Sequence, residues 1–576
     1  MHPVTATWKN NDTMNLTKKH ARHWVWLSFA FALASCGGGG GSNSSGNVPP
    51  PPPPPPQTQF ADVTSSSGIN FSVEFSKKPG DEFNVPYFAG GVASGDYDDD
   101  GDIDLFVVRG DIGPNLLYRN DGDNVFVEVA AEAGLAFTKS ATENYRHSGP
   151  MFADMDGDGD LDLFLGGIQG DPCRIFANNG DGTFVDVTAG SGLDSMGAPQ
   201  NVSAAFGDYD MDGDLDMLVA HWGTQRPGQD PGDTEHLWRN ESTPAQIRFV
   251  SVSVEAGLSP SIITLPDPYV PEHQVGIDYS FAPSFTHLND DLYPDIVMSA
   301  DVNLSMAFMN NGDGTFSNIT DVEVIRDANG MGSTLGDYDN DGDLDWFVTS
   351  IYRGTNPLIE NGNRLYRNDA GIFVDVTETA GVANGGWGWA ACFVDLNNDG
   401  NLDLYHTNGW QFDDIGDFTA DTSRAFISNG DGTFTNEAFS LGIADKNQGR
   451  GVVCADFDRD GDIDIFLWSN NEGVNAGSLY RNDTSDNNYV DVKLRGLPPN
   501  TAAAGARIRA TVGNVTQMRE VSIGSNFISQ NPTEQHFGIG QAPQIDSLVI
   551  EWPDGVTSDL GIVQANQRIV VDHPGL

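Results

Sequence analysis

The sequence predicts an all-β chain: a seven-bladed β-propeller followed by a small β-sandwich-like domain. Three observations carry this. An acidic turn that runs straight into an apolar stretch occurs seven times between residues 96 and 464. Two further short signatures follow each copy in the same order. No helical period competes with this reading.

The first acidic turn, "GDYDDDGDIDLFVV" at residues 95–108, places Asp96, Asp98, Asp100, Asp102 and Asp104 within nine positions. Carboxylates about 4 Å apart repel by roughly 1 kcal/mol in water and roughly 4 kcal/mol near a protein surface. Four converging carboxylates make six such terms, so a closed turn needs a cation inside it or must splay into solvent. Hard oxygen ligands at alternate positions, with Gly101 permitting the bend, suit Ca²⁺. Asp96, Asp98 and Asp100 are expected to ligate through side chains, Asp102 through its backbone carbonyl, and Asp104 to close the shell. A helical EF-hand is excluded, because position 12 is Val107 within the strand-like run "DLFVV" rather than a bidentate Glu.

Five more copies keep the pattern. They comprise Asp154, Asp156, Asp158, Asp160 and Asp162; Asp208, Asp210, Asp212, Asp214 and Asp216; Asp337, Asp339, Asp341, Asp343 and Asp345; Asp395, Asn397, Asp399, Asn401 and Asp403; and Asp456, Asp458, Asp460, Asp462 and Asp464. A worn copy, "HLNDDLYPDIVM", starts at His287 and replaces the first Asp by His and the Gly by Leu292, which puts its metal binding in doubt. About six Ca²⁺ sites of structural type are therefore expected.

After each turn comes a segment such as "LLYRN", "HLWRN" or "SLYRN", then one of the type "FVDVT". Turns such as "NGDGTF" join the two, as in tight hairpins. Each period thus holds four antiparallel strands, and seven periods make a propeller. The third signature occurs at Phe126, Phe184, Phe249, Phe316, Phe373, Phe434 and Tyr489, and once more at Phe60. The spare copy, "FADVT", is expected to close the ring by completing the last blade.

These motifs resemble the FG-GAP or VCBS repeat family, over roughly residues 60–488. The resemblance implies that the acidic loop joins the first two strands of a blade and binds structural Ca²⁺. Residues 489–576, with "NYVDVKLRG", "GSNFISQNPTEQHFGIG" and "IDSLVIEWPDGV", resemble the ASPIC/UnbV domain that follows such propellers in cartilage acidic protein and its bacterial relatives. Alternation of Val490, Val492 and Leu494, then of Ala506, Ile508 and Ala510, supports a small β-domain independently.

The formal net charge of −53 opposes binding to nucleic acid or anionic lipid. Lys18, Lys19 and Arg22 precede the apolar run "WVWLSFAFALA", which is too short to span a bilayer and reads as an export signal, with Met14 as an alternative start. The run ends at "LASC", which resembles a bacterial lipobox with Cys36 as the lipidated residue. The Gly/Ser/Pro-rich residues 37–59 read as a tether, and Gly37 favours the outer membrane by the same resemblance. Cys173, Cys392 and Cys454 read as small buried side chains able to form at most one disulfide.

The acidic turns and hairpins fall at one end of the blades, while connections of very different length fall at the other. Recognition is expected on that calcium-free face. Candidate contacts there are His221, Trp222, Trp387, Trp389, Trp410 and Arg450, with packing around the channel as the alternative for the tryptophans. His147, His273 and His406 are candidate bases or ligands, or plain polar positions. The tripeptide Arg109–Gly110–Asp111 is read as a solvated loop. "HExxH", "GxSxG" and phosphate-cradling glycine motifs are missing, and no catalytic residue is assigned. The sequence therefore favours a surface-anchored binding or adhesion module for an extracellular protein or glycan. The alternative is a calcium-dependent carbohydrate-active enzyme such as a polysaccharide lyase.

Overall fold

The innermost strand of each repeat explains the arrangement. In a computed structural model these strands are Gly91–Gly95, His147–Ala153, Ser203–Gly207, Ser280–Thr286, Ser333–Gly336, Gly388–Val394 and Gly449–Ala455. We number the sheets they begin as blades 1 to 7. The structure describes residues 59–76, 85–225, 235–259, 277–301, 305–353, 361–411, 417–471, 475–484, 487–524 and 526–576. The export signal, the tether, Cys36 and His273 lie outside them.

Each innermost strand pairs antiparallel with the apolar run after its acidic turn, as Gly91–Gly95 does with Asp104–Val108. That run pairs with the "LLYRN" segment, which pairs with the "FVEV" strand. Burial follows this order. In blade 1 the first two strands are buried throughout, the third alternates, and the outer one buries only Phe126. Strands covered on both faces read as unbroken apolar runs, and the outer edge as an alternating one.

The innermost strands neighbour one another in the order 1 to 7 and back to 1, so the sheets close a ring. The last sheet is completed from the other end of the chain. Phe60–Asp62 pairs with Gly477–Asn482, matching Phe60 to Asn482. The "YVDV" copy at Tyr489 instead belongs to the C-terminal domain, where Asn488–Arg495 lies between Gln535–Gly540 and Gln567–Asp572. A second sheet, ordered Val515–Glu520, Arg507–Val512, Gln544–Glu551 and Thr557–Gln564, shares a core with it around Val492, Ile508, Phe537, Leu548 and Trp552.

Two recurring side chains hold the ring. The Asp at position nine of every turn is buried and accepts two backbone amides. Asp104 accepts from Tyr97 at 3.1 Å and from Asn120 at 2.8 Å, and Asp162, Asp216, Asp295, Asp345, Asp403 and Asp464 repeat both bonds. The Asn that ends the third strand crosses to the preceding blade. Asn178 donates to Tyr97 O at 2.9 Å, Asn240 to Met155 O at 2.9 Å and Asn310 to Tyr209 O at 2.8 Å. Asn368 reaches Leu288 O, Asn482 reaches Leu396 O, and Asn120 of blade 1 reaches Phe457 O of blade 7, which ties the ring shut. In blade 6 the position is Ser428, whose shorter side chain does not make this bridge.

The C-terminal domain sends a segment into the central channel. Ile523–Gly524 pairs with Ala205 and Phe206 of blade 3, and Ser529–Gln530 runs parallel to Val92 and Ala93 of blade 1. Gln530 exchanges two bonds with the Phe152 backbone of blade 2, at 2.7 and 2.8 Å. Asn526 binds Val452 O of blade 7 at 3.0 Å, and its own carbonyl accepts from Ser333 of blade 5. Phe527 is fully buried against Phe281 of blade 4 and Trp389 of blade 6. Amide side chains answer the polar edges of the inner strands, while Phe527 and Ile528 fill the axis and contribute roughly 1.5–3 kcal/mol each.

Asn240→Ala should lower stability by about 1–3 kcal/mol, because it strips buried carbonyls of their donor. Ser428→Ala, where no bridge exists, should cost under about 0.5 kcal/mol. Thermal melting of the two variants side by side checks this, and equal shifts would remove the bridge from the account.

Candidate metal centre and the face it occupies

Each acidic turn is folded by its own first Asp. Asp208 accepts the amides of Asp212 and Gly213 at 3.0 Å each, Asp456 those of Asp460 and Gly461 at 3.1 and 2.9 Å, and Asp395 those of Asp399 and Gly400 at 3.1 and 2.8 Å. The glycine at position six has φ between 92° and 105° in the six intact turns, a left-handed value that a Cβ disfavours. Leu292 is not among the left-handed residues, so the fourth turn bends differently.

This curl brings carboxylates together. One oxygen from each of Asp96, Asp98 and Asp104 lies within 4.8 Å of the others, and the same holds for Asp154, Asp156 and Asp162, for Asp208, Asp210 and Asp216, for Asp337, Asp339 and Asp345, and for Asp456, Asp458 and Asp460. The blade 6 turn offers Asp395, Asn397, Asp399 and Asn401, with amide oxygens where the others have carboxylates. In the turns that begin at Asp96, Asp154, Asp208 and Asp337, positions five and seven stand outside the cluster, whereas position five of the last turn, Asp460, belongs to it. Asp100, Asp158, Asp212 and Asp341 each accept the amide of position seven, from Asp102, Asp160, Asp214 and Asp343 respectively, at 2.9–3.1 Å.

Three features show that these clusters can hold a metal ion. Buried oxygens of Asp98, Asp156, Asp210, Asp337 and Asp458 have no hydrogen-bond partner, an arrangement that is costly unless a cation takes the lone pairs. All donors are hard oxygens, which is compatible with Ca²⁺. The carboxyls are also held above their ordinary range by burial first and by neighbouring carboxylates next. Asp98 is raised, Asp156 and Asp458 are pushed up to about 6, and Asp208 and Asp337 to about 7.

The position-nine Asp is a different case. Both of its oxygens already serve backbone amides, and it persists as Asp295 in the fourth turn, where the first Asp and the Gly are gone. Its first task is therefore to pin the turn to the third strand. Any share in ligation uses what lone pairs remain.

The fourth turn is met by the C-terminal domain instead. His287 N and Nδ1 lie 3.1 and 2.6 Å from Glu520 Oε2. Burial works against protonation of the ring, but the Glu520 carboxylate outweighs it and raises the imidazole. The domain touches other turns as well. Lys493 Nζ is 3.0 Å from Asp96, Thr501 donates to Asp154, Pro499 abuts Gly157, and His536 Nε2 is 2.6 Å from Asn398 Oδ1. The end of the ring that carries the acidic turns is thus the end the domain covers.

The residues singled out for the opposite face are placed differently from the ligand reading. His221, Trp387, Trp389, Trp410 and Arg450 are buried, and Trp222 is half-buried. Trp387 and Trp410 stack at 4.7 Å, and the Arg450 guanidinium lies 4.3 Å above the Trp389 ring centre. The tryptophan ring faces are used by one another, by Phe88 and by Phe527, so the tryptophans and Arg450 pack the channel, whereas His221 lies against the His236 ring at 4.7 Å. His147 and His406 are also buried, and burial lowers them to about 3 and about 4. Arg109–Gly110–Asp111 is not a solvated loop. The Asp111 side chain is only 5% exposed and pairs with buried Arg146 at 2.9 Å, which withdraws it from adhesive contact. Cys173, Cys392 and Cys454 are buried free thiols.

FG-GAP-like repeat models match residues 96–165, 154–219, 287–348, 354–406 and 413–467, and the ASPIC and UnbV model matches residues 496–575. The chain belongs to the FG-GAP-like repeat family. It is 24% identical to cartilage acidic protein 1 of Mus musculus over 514 residues, covering 84% of this chain and 74% of that protein, and 23% identical to the Homo sapiens protein over 509 residues, covering 84% and 71%. Solved structures with similar β-architecture include an Agrocybe aegerita lectin that recognises non-reducing terminal N-acetylglucosamine, at TM-score 0.38 and 18% identity over 68% of this chain and 94% of that one. Another is the rhamnogalacturonan lyase YesW, at TM-score 0.37 and 12% identity over 72% and 76%. Likeness at this level carries nothing about ligand or activity.

The raised carboxyls set a pH dependence. In the metal-free chain the folded state binds more protons than the unfolded state above about pH 4, so its stability falls as pH rises through the folded values. A metal ion needs those groups ionised, so its contribution grows over the same interval. Melting with calcium and with EDTA should diverge steadily from about pH 5 to about pH 8. A gap that stays constant or narrows would contradict the assignment.

Proposed function

We propose that this chain is a calcium-stabilised binding module, anchored at the cell surface through Cys36, that engages an extracellular protein or glycan on the face away from the acidic turns. The observation that supports it is the division of the molecule. The C-terminal domain covers the acidic-turn end and its segment fills the axis, so the opposite end of the blades is the one the domain does not take up. Rigid scaffolds with variable connecting loops are where recognition sits.

Six turns, beginning at Asp96, Asp154, Asp208, Asp337, Asp395 and Asp456, each take one Ca²⁺ in this reading. At millimolar Ca²⁺ and a dissociation constant of about 10 µM, each site adds roughly 2.7 kcal/mol to the native state. These ions are structural. Their carboxylates, folded over by the turn's own amides, leave little open coordination for a substrate. That favours binding over lyase chemistry, which needs an accessible cation beside a base in a groove.

The mature chain should bind saturably to a member of a matrix-protein and glycan panel when calcium is present, lose that binding in EDTA, and release no unsaturated product from acidic polysaccharides. Turnover of a polysaccharide would favour the enzyme reading instead.

A further inference from the structure

A cleft of about 340 Å³ lies between the turns of blades 1 and 2 and the C-terminal domain. Lys493, Arg459, Arg495 and Arg568 line it, four of only 29 basic residues in a chain with 82 acidic ones. Their present partners belong largely to the first acidic turn. Lys493 Nζ is 3.0 Å from Asp96, the turn's first carboxylate, and its other neighbour Asp99 is exposed at 4.0 Å. Arg459 reaches the Gly101 carbonyl and lies 3.8 Å from Asp102. Arg459 and Arg568 then share one carboxylate, Glu534, at 2.8 Å each. Arg495 is half in solvent and 3.8 Å from Asp572.

A divalent ion in the first turn changes this balance. Held by Asp96, Asp98 and Asp104, such an ion would compete with Lys493 for the Asp96 carboxylate and would add two positive charges beside the cleft. Lys493 would then keep only exposed Asp99 at 4.0 Å, while Arg459 and Arg568 share Glu534 and Arg495 stays half in solvent. We infer that, once the first turn is loaded, this cleft binds a small organic anion through its carboxylate, with Lys493 and Arg568 as principal contacts. The volume suits a monosaccharide-sized molecule, and guanidinium groups hold carboxylates bidentately. The site lies on the domain-covered end and is separate from the face assigned above to the main partner. It rests on the calcium reading of the first turn.

Glucuronate is the probe and glucose the uncharged control, titrated calorimetrically into the full chain with calcium and after EDTA, with bound calcium measured in the same samples. Saturable glucuronate binding is expected only with calcium, with none for glucose. Lys493→Met and Arg568→Met should each weaken it at least tenfold while bound calcium at saturation stays the same. Two variants at separate positions guard against a folding defect in either. If calcium is bound but glucuronate binds no better than glucose, the cleft inference fails and the calcium reading stands. If no calcium is bound, both fail. Binding that is equal with and without calcium would overturn the switching by Asp96.

Discussion

Like charges crowded into a turn are the constraint from which this molecule is built. Each turn folds its first Asp back over its own amides, which forces the following carboxylates toward one point. The turn tolerates that crowding because its ninth residue is anchored to the neighbouring strand by two buried amide bonds, as Asp162 is to Met155 and Asn178. Electrostatic stress and mechanical anchoring thus sit within nine residues of each other. The strand that leaves the turn is buried on both faces, so any loosening there is transmitted directly to the core.

The blades are then joined by a second element of the same repeat. The asparagine that caps the third strand spends one end of its amide on its own hairpin and the other on the preceding blade, as Asn310 does with Gly312 and Tyr209. One repeat unit therefore carries its own turn, its own anchor and its own tie to its neighbour. Ring closure needs only that Phe60–Asp62, the first strand among the described residues, reach the last sheet. The C-terminal domain adds what a ring cannot supply for itself, an axis. Its inserted segment bonds or packs against inner strands all round the channel. It meets the fourth turn with Glu520 where that turn presents His287. A protein ion pair stands there in the position that a carboxylate cluster occupies elsewhere.

Much of this was legible in the sequence because it repeats. The acidic turns, the strand order and the spare "FADVT" all followed from periodicity, since copies of one signal reinforce each other. The inserted segment was not legible. "SNFISQNP" carries no period, and Gln530 finds its partner at Phe152, 378 residues away in the chain. The tryptophans of "GGWGWAACF" and "NGW" pointed equally to a ligand face or a channel core, and only the placement of Phe527 and Phe88 against them decides for the core. The interblade asparagine had a signal in plain view: it recurs at 120, 178, 240, 310, 368 and 482 and is Ser at 428. Nothing local says that its amide crosses to another blade. The ninth Asp was read as a ligand, and in four turns an oxygen of it does lie in the cluster; that it also accepts two backbone amides was not legible, because spacing alone gives no sign of them.

The most direct test of the central claim is long-wavelength anomalous diffraction from crystals of the mature chain grown in calcium. The account predicts a calcium peak inside each of the turns that begin at Asp96, Asp154, Asp208, Asp337, Asp395 and Asp456, and none inside the turn at His287. Turns without peaks, or turns opened outward with their carboxylates in solvent, would contradict it.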